Sequence, residues 1–214
     1  HNDGLADYSS IHLPMVSVDR DLSPIVPNVR CDNEAGGRLA AEHLLKRGAR
    51  RPALLTSRTG IHNLREKGYR QVLQQVGIEP VVLTVDFNTP NSERPGLIRE
   101  RLDLVADDID AVFATDDLAA AQVMEWAAER DLRIPDDFKV IGFDGTIAMQ
   151  HALPALTTIQ QPIAKLARAA VDLLLNRIAS STTASSDSKQ PSEPRKDPQA
   201  PSPMPVRLLP GRTA

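Results

Sequence analysis

Short apolar runs alternate with longer amphipathic stretches along most of the chain. The runs are typical of strands buried on both faces and cover residues 52–56, 81–85, 111–114 and 140–143. Between them, apolar residues recur every three or four positions, which predicts helices over 32–47, 64–76, 94–105 and 117–130. Strands that alternate with helices predict βαβ units, and therefore an α/β fold with a doubly wound parallel sheet.

The last third of the chain has a different pattern. Residues 163–178 carry apolar side chains at helical spacing, for core packing or for a subunit contact. Residues 180–205 then hold nine Ser or Thr and six Pro in 26 positions, too few apolar groups to order themselves. This segment is predicted to be a flexible insertion before a final short strand over 206–209.

Composition narrows the possible functions. The 214 residues are 41% hydrophobic with a net charge of −3, which suits one sizeable domain or two small ones but not a basic nucleic-acid-binding module. No apolar run is long enough to span a membrane. One Cys and five His show no metal-ligand spacing, and the sequence holds no phosphate-loop, dinucleotide or hydrolase motif. Neither an enzyme, a metal site nor a cofactor is predicted.

Residues 139–162 form the most informative stretch, KVIGFDGTIAMQHALPALTTIQQP. Asp144 stands between Gly142 and Gly145 where an apolar strand ends. Ligands of open α/β sheets bind beyond the carboxyl ends of the strands, so Asp144 is placed either to contact a ligand or to cap the turn.

Three motifs carry a family resemblance. GFDGT followed by PALTTIQQP, and DNEAGGRLAAEHLLKRGARRPALL over 32–55, resemble the effector-binding domain of the lactose/galactose/purine repressor (LacI/GalR) family of transcription regulators. ATDDLAAA over 114–121 is similar to that family's A-N-D-x-x-A-x-G, with Thr115 in place of Asn and Ala121 in place of Gly. The resemblance implies a periplasmic binding protein-like fold, with two doubly wound subdomains and a ligand cleft between them.

The resemblance also implies a domain organisation. Residues 1–30 and 156–179 would belong to the N-terminal subdomain, and 31–155 with 206–214 to the C-terminal one. The family begins with a helix-turn-helix headpiece and a hinge, followed by about two strand–helix units. None of these appears before His1, so the N-terminal subdomain is expected to be incomplete.

Asp144 and Arg65 are the leading site residues that the resemblance implies. Arg65 lies three residues before Gly68, where the family's Arg clasps ligand hydroxyls. Phe87 ends a strand where related proteins stack an aromatic ring on the sugar, although an aromatic that plugs the strand end would look the same.

Two further pairs complete the predicted site. Asp19 and Arg20 follow a short strand and are similar to the ribose-contacting pair of ribose-binding proteins, although their spacing alone suits a solvated turn. Thr115 and Asp116 lie at a strand-to-helix junction, where Asp116 fits a helix N-cap as well as a ligand contact.

Two functions fit these residues. The first is the effector domain of a cytoplasmic repressor, which would bind a sugar, with a pentose preferred, and act as a homodimer on DNA through a headpiece absent from this chain. The second is a periplasmic solute-binding protein that delivers sugar to an ABC transporter. A helix-turn-helix or a secretory signal before His1 would distinguish them.

Overall fold

The computed structural model describes residues 13–60, 62–184 and 200–214, and the chain divides into two compact units. The described part of the first unit comprises residues 13–32, 162–184 and 200–205. The second unit comprises Asn33–Gln161 and Val206–Ala214. No helix among the described residues is long and apolar enough to cross a membrane.

A six-stranded sheet forms the centre of the second unit, in the order β4-β3-β5-β6-β7-β8. Its strands are β3 (Pro52–Thr56), β4 (Val81–Thr84), β5 (Ala111–Ala114), β6 (Lys139–Asp144), β7 (Thr157–Gln160) and β8 (Arg207–Leu209). The first five are parallel, and β8 pairs antiparallel with β7 at the edge. The predicted doubly wound parallel sheet is confirmed.

Helices connect these strands. They are α1 (Asn33–Lys46), α2 (Leu64–Gln75), α3 (Arg94–Asp103), α4 (Asp117–Glu129) and α5 (Ile147–Ala152). One hydrophobic cluster packs β3–β6 against α3 and α4, with Trp126 and Phe138 in edge contact at a ring-centroid distance of 5.5 Å. The four helices predicted over 32–47, 64–76, 94–105 and 117–130 are present to within about two residues at their ends, the usual uncertainty of helix boundaries.

The segment after β6 corrects the predicted division of the chain. Residues 156–161 were assigned to the N-terminal subdomain, but β7 pairs along its whole length with β6. Thr213 links β6 and β7 through its hydroxyl. This hydroxyl donates to Val140 O of β6 at 2.7 Å and accepts from Thr157 N of β7 at 2.9 Å. The sequence pattern of 156–161 fits either sheet, so only the resemblance had assigned it.

The described part of the first unit contains a two-stranded parallel sheet of β1 (Ser17–Val18) and β2 (Asn28–Val29), packed on helix α6 (Ile163–Ala184). Leu166 and Leu173 are buried among the α6 side chains that the structure describes. Val171 is one of the apolar residues at helical spacing over 163–178, together with Leu166, and it was predicted on the same face, but it is 55% exposed. The predicted face is therefore wrong in part, because helical spacing alone does not fix which apolar stripe meets the sheet.

The predicted insertion over 180–205 is corrected at both ends. Helix α6 continues to Ala184, four residues beyond the predicted start of the insertion. Near the other end, Met204 pairs with Cys31, and Met204 O accepts from Asp32 N at 2.7 Å. The remainder of the insertion, residues 185–199, lies outside the described residues.

Candidate functional site

Polar side chains gather at the carboxyl ends of β5 and β6 in the second unit. Parallel strands that share a sheet end at the same edge, so Thr115 after β5 and Asp144 at the end of β6 become neighbours. Helix α2 begins at Leu64, behind Asn63, whose side chain accepts from Glu66 N at 3.2 Å as an N-cap. This start places Arg65 in the first turn, facing the same edge.

Arg65 is held on three sides. Its Nε donates to Asn33 Oδ1 at 2.7 Å, and its Nη1 donates to the backbone carbonyl of Thr115. Its guanidinium carbon lies 3.6 Å from the centroid of the Phe143 ring, which is a cation–π contact. A planar fork suits these contacts and a lysine ammonium does not, so the position requires arginine.

Asp144 faces Arg65. Its Oδ1 lies 3.7 Å from Arg65 Nη1 and accepts from Gln161 Nε2 at 2.6 Å. The backbone φ of Asp144 is +113°, a conformation that residues other than glycine rarely adopt. Strain of this kind concentrates at functional sites, where surrounding contacts hold it in place.

Burial changes the acidity of Asp144. Loss of solvation raises the pKa of Asp144 to about 6, against the lowering influence of Arg65 and Gln161. The neighbouring carboxylates of Asp117 and Asp116 raise it further. An Asp with such a pKa accepts hydrogen bonds as an anion at neutral pH and loses that charge in mild acid.

Thr115 and Asp116 make structural contacts at this edge, and their contacts with a ligand stay predictions. The Thr115 side chain is buried, with its Oγ1 3.4 Å from Thr56 Oγ1. Its backbone carbonyl accepts a hydrogen bond from Arg65 and so helps to hold the guanidinium in place. Asp116 caps α4, since its Oδ1 accepts from Ala119 N at 2.7 Å, which confirms the N-cap prediction. Arg94 Nη2 lies 3.5 Å from Asp116 Oδ2.

Phe87 follows β4 and is 75% exposed. The structure therefore favours an exposed ring over the alternative of a strand-end plug. Its stacking on a sugar stays a prediction.

Asp19 and Arg20 lie in the first unit, directly after β1. Asp19 has a φ of +57°, and its Oδ1 lies 3.8 Å from Cys31 Sγ, whereas Arg20 is exposed. Their part in ligand binding stays a prediction.

Three residues that shape this edge are not among the predicted site residues. Asn33 orients Arg65, Gln161 binds Asp144, and Arg94 approaches Asp116. Gln161 lies inside the QQP motif that carried the resemblance, so that motif was an available signal. Asn33 and Arg94 come into place only through the packing of α1 and α3.

The edge offers the chemistry of polyol recognition. A guanidinium, an amide and two carboxylates present directional donors and acceptors within a small region, and charge-assisted hydrogen bonds are about twice as strong as neutral ones. Among the described residues, no group of three or more His, Cys, Asp or Glu is arranged to hold a metal ion.

A parallel α/β unit with charged ligand contacts at the carboxyl edge of its sheet is typical of small-molecule binding proteins. The family model described as periplasmic binding protein-like domain matches residues 41–211. The chain belongs to this family, and its resemblance to the LacI/GalR regulators is confirmed.

Named relatives agree with this assignment. The sucrose operon repressor of Streptococcus mutans is 34% identical over 185 residues, which cover 83% of this chain and 55% of the repressor. The ribose operon repressor of Halalkalibacterium halodurans is 32% identical over 174 residues, covering 80% of this chain and 52% of the repressor. The chain thus spans about half the length of these curated relatives.

A solved structure shows the same fold. It is a periplasmic binding protein/LacI transcriptional regulator from Alkaliphilus metalliredigens complexed with D-xylulofuranose. It is similar with a TM-score of 0.77 at 25% identity, over 96% of this chain and 72% of that one.

Proposed function

We propose that this chain is the effector-sensing part of a repressor of the LacI type, and that its effector is a small sugar. The observation that carries the proposal is the Arg65–Asp144 pair at the carboxyl edge of the sheet, 3.7 Å apart and held by contacts on both sides. Vicinal hydroxyls of a sugar can accept from the guanidinium and donate to the carboxylate at once.

A pentose is the preferred effector. The Asp19-Arg20 pair resembles ribose-type sites, one relative is a ribose operon repressor, and one similar structure holds D-xylulofuranose. Phe87 supplies an exposed ring on which the apolar face of a sugar would stack. In this proposal no bond of the sugar is broken, and the domain binds rather than catalyses.

The proposal extends to the whole protein. We expect a cytoplasmic homodimer in which sugar binding changes the affinity for DNA of a separate headpiece, by shifting the population of two arrangements. Full-length protein and its operator would test this extension by measuring DNA affinity with and without the sugar.

The sugar-binding proposal is tested on this chain alone. Thermal unfolding is followed with D-ribose, D-xylulose, sucrose, cellobiose, ribose 5-phosphate and hypoxanthine, for wild type and for Asp144→Asn. A ligand at 100 times its dissociation constant adds about 2.7 kcal/mol to the free energy of unfolding. A shift by one sugar that disappears in the variant supports the proposal, and no shift by any sugar from a cooperatively melting protein contradicts it.

A further inference from the structure

Asp117 is a buried carboxylate that makes none of the proposed sugar contacts. It is the first residue of α4 and only 2% exposed. Thr158 Oγ1 donates to its Oδ1 at 2.6 Å, and Gly145 N donates to its Oδ2 at 2.8 Å. The two oxygens therefore join β7 to the turn that follows β6.

The Gly145 bond acts on the backbone of Asp144. The N–H of Gly145 belongs to the peptide plane that follows Asp144, so an acceptor fixed on this N–H sets the direction of that plane. Asp144 has a φ of +113°, which is strained for a residue other than glycine, whereas Gly145 adopts its φ of +55° without strain. Such a turn persists only where surrounding contacts determine it.

The surrounding space also fixes Asp117. A Cβ built on Gly142 would lie 2.3 Å from Asp117 Oδ1, and one built on Gly145 would lie 2.9 Å from Gln160 Cα. Glycines at both positions let the carboxylate lie directly over β6 and let the turn lie against β7. The Asp117 carboxylate therefore packs tightly against β6, and the turn at Gly145 packs tightly against β7.

A helix-dipole role alone does not account for this placement. An acidic residue in the first turn stabilises a helix, but an exposed one does so without the desolvation cost of burial. Burial raises the pKa of Asp117, against the lowering influence of Thr158 and Gly145. Burial therefore disfavours the ionised carboxylate, and the two hydrogen bonds from Thr158 and Gly145 offset part of that cost.

We infer that Asp117 is a positioning residue for effector binding, which fixes the turn after β6 so that the Asp144 carboxylate faces Arg65. The inference rests on the proposed function. Thr158 is its partner, since the Thr158 hydroxyl holds the second oxygen in place. Asp117 itself contacts no ligand in this account.

The test compares Asp117→Asn, Asp117→Ala and Thr158→Val with Val123→Ala. Val123 is fully buried in the same helix, so its truncation lowers stability without touching the turn. Calorimetry with D-ribose, D-xylulose and sucrose measures affinity, and hydrogen exchange measures protection of the Gly145 amide. We expect about a tenfold loss of affinity in both Asp117 variants, a smaller loss in Thr158→Val and none in Val123→Ala.

Hydrogen exchange at the Gly145 amide distinguishes a failure of this inference from a failure of the proposed function. If wild type binds none of the sugars, the proposed function fails, while faster Gly145 exchange in Asp117→Asn still supports the control of the turn by Asp117. Unchanged affinity and unchanged exchange in Asp117→Asn overturn the inference. So does an equal loss of affinity in Val123→Ala, because stability alone would then explain it. If Asp117→Ala does not fold, the affinities and the Gly145 exchange rates of Asp117→Asn and Thr158→Val test the inference.

Discussion

Gly37 in α1 lies directly against the backbone carbonyl of Arg65 in α2, and a Cβ built on Gly37 would be 2.0 Å from that oxygen. Gly68 in α2 has the reciprocal relationship with Glu34 in α1, because a Cβ built on Gly68 would lie 2.0 Å from the Glu34 carbonyl oxygen. The two helices therefore meet backbone to backbone. This close approach brings Asn33 within 2.7 Å of the Arg65 guanidinium, so the geometry of the site depends on two glycines outside it.

Gly37→Ala should separate the helices and destabilise the fold. Alanine favours a helix interior, but the new methyl group meets backbone that cannot rotate away, and we expect a net loss of about 2 kcal/mol in the free energy of unfolding. Gly96→Ala in α3 is the matched control, because its Cβ would meet nothing within 4 Å. Urea unfolding should show Gly96→Ala as neutral or more stable by up to about 1 kcal/mol. Equal midpoints for the two variants would contradict the close approach.

Asp144→Asn should stabilise the protein while abolishing sugar binding. The folded state raises the pKa of Asp144 to about 6, above that of an unfolded Asp, so the charged form disfavours folding at neutral pH. Its side chain is 32% exposed, and after allowance for solvent screening we expect a gain of about 1–2 kcal/mol at pH 7.5.

The sign of this effect determines its pH dependence. Folding takes up a proton at Asp144 between about pH 4 and 6, so the wild type loses stability from this group as the pH rises through that window. The advantage of Asp144→Asn should be largest above pH 6 and should disappear near pH 4. Melting temperatures measured for both proteins across this range check the expectation, and a constant difference would contradict it.

Sugar affinity should depend on pH in the opposite direction. The ionised carboxylate accepts from the sugar, so protonation of Asp144 below about pH 6 weakens binding. With this pKa, the dissociation constant at pH 5 should be about ten times that at pH 7.5. Calorimetry on wild type gives the profile. A flat wild-type profile would show that Asp144 does not bind as an anion.

Arg65→Lys should lower sugar affinity by at least about tenfold. Lysine keeps the charge but cannot bond Asn33, the Thr115 carbonyl and a ligand together while lying on the Phe143 ring. Arg70→Lys is the control, because Arg70 lies on the same helix and pairs with Glu66 and Glu79 away from the site. Calorimetry should show near-wild-type affinity for Arg70→Lys. Similar losses in both variants would mean that α2 is sensitive to any such change.

Much of the second unit could be predicted from its sequence. β3 and β5 lie at the predicted residues, because each is a compact apolar run bounded by polar residues and buried on both faces. β7 is not predicted in this sheet, because the short pattern TTIQ fits either sheet and the resemblance places residues 156–179 in the N-terminal subdomain. The α6 face was predicted in part, because Leu166 is buried but Val171 is exposed.

The site was predictable only to the extent that its residues lie at strand ends or in the family motifs. Asp144 and Arg65 meet as the motifs imply. Asn33 is the first residue of an ordinary amphipathic helix, and nothing local distinguishes it from a residue that only starts that helix. The contact of Thr115 with Thr56 and the approach of Arg94 to Asp116 also depend on packing, since these partners lie far apart in the sequence.

The order of strands has a consequence for folding during synthesis. β7 and β8 are neighbours in the sheet, but more than forty residues separate them along the chain. Residues 207–213 must leave the ribosome before β8 can pair with the edge of β7. The same holds before Thr213 can link β6 to β7 by hydrogen bonds. Until then β7 presents an open strand edge, the kind of surface through which nascent chains associate wrongly. Completion of the six-stranded sheet therefore waits until residues 207–213 have emerged from the ribosome.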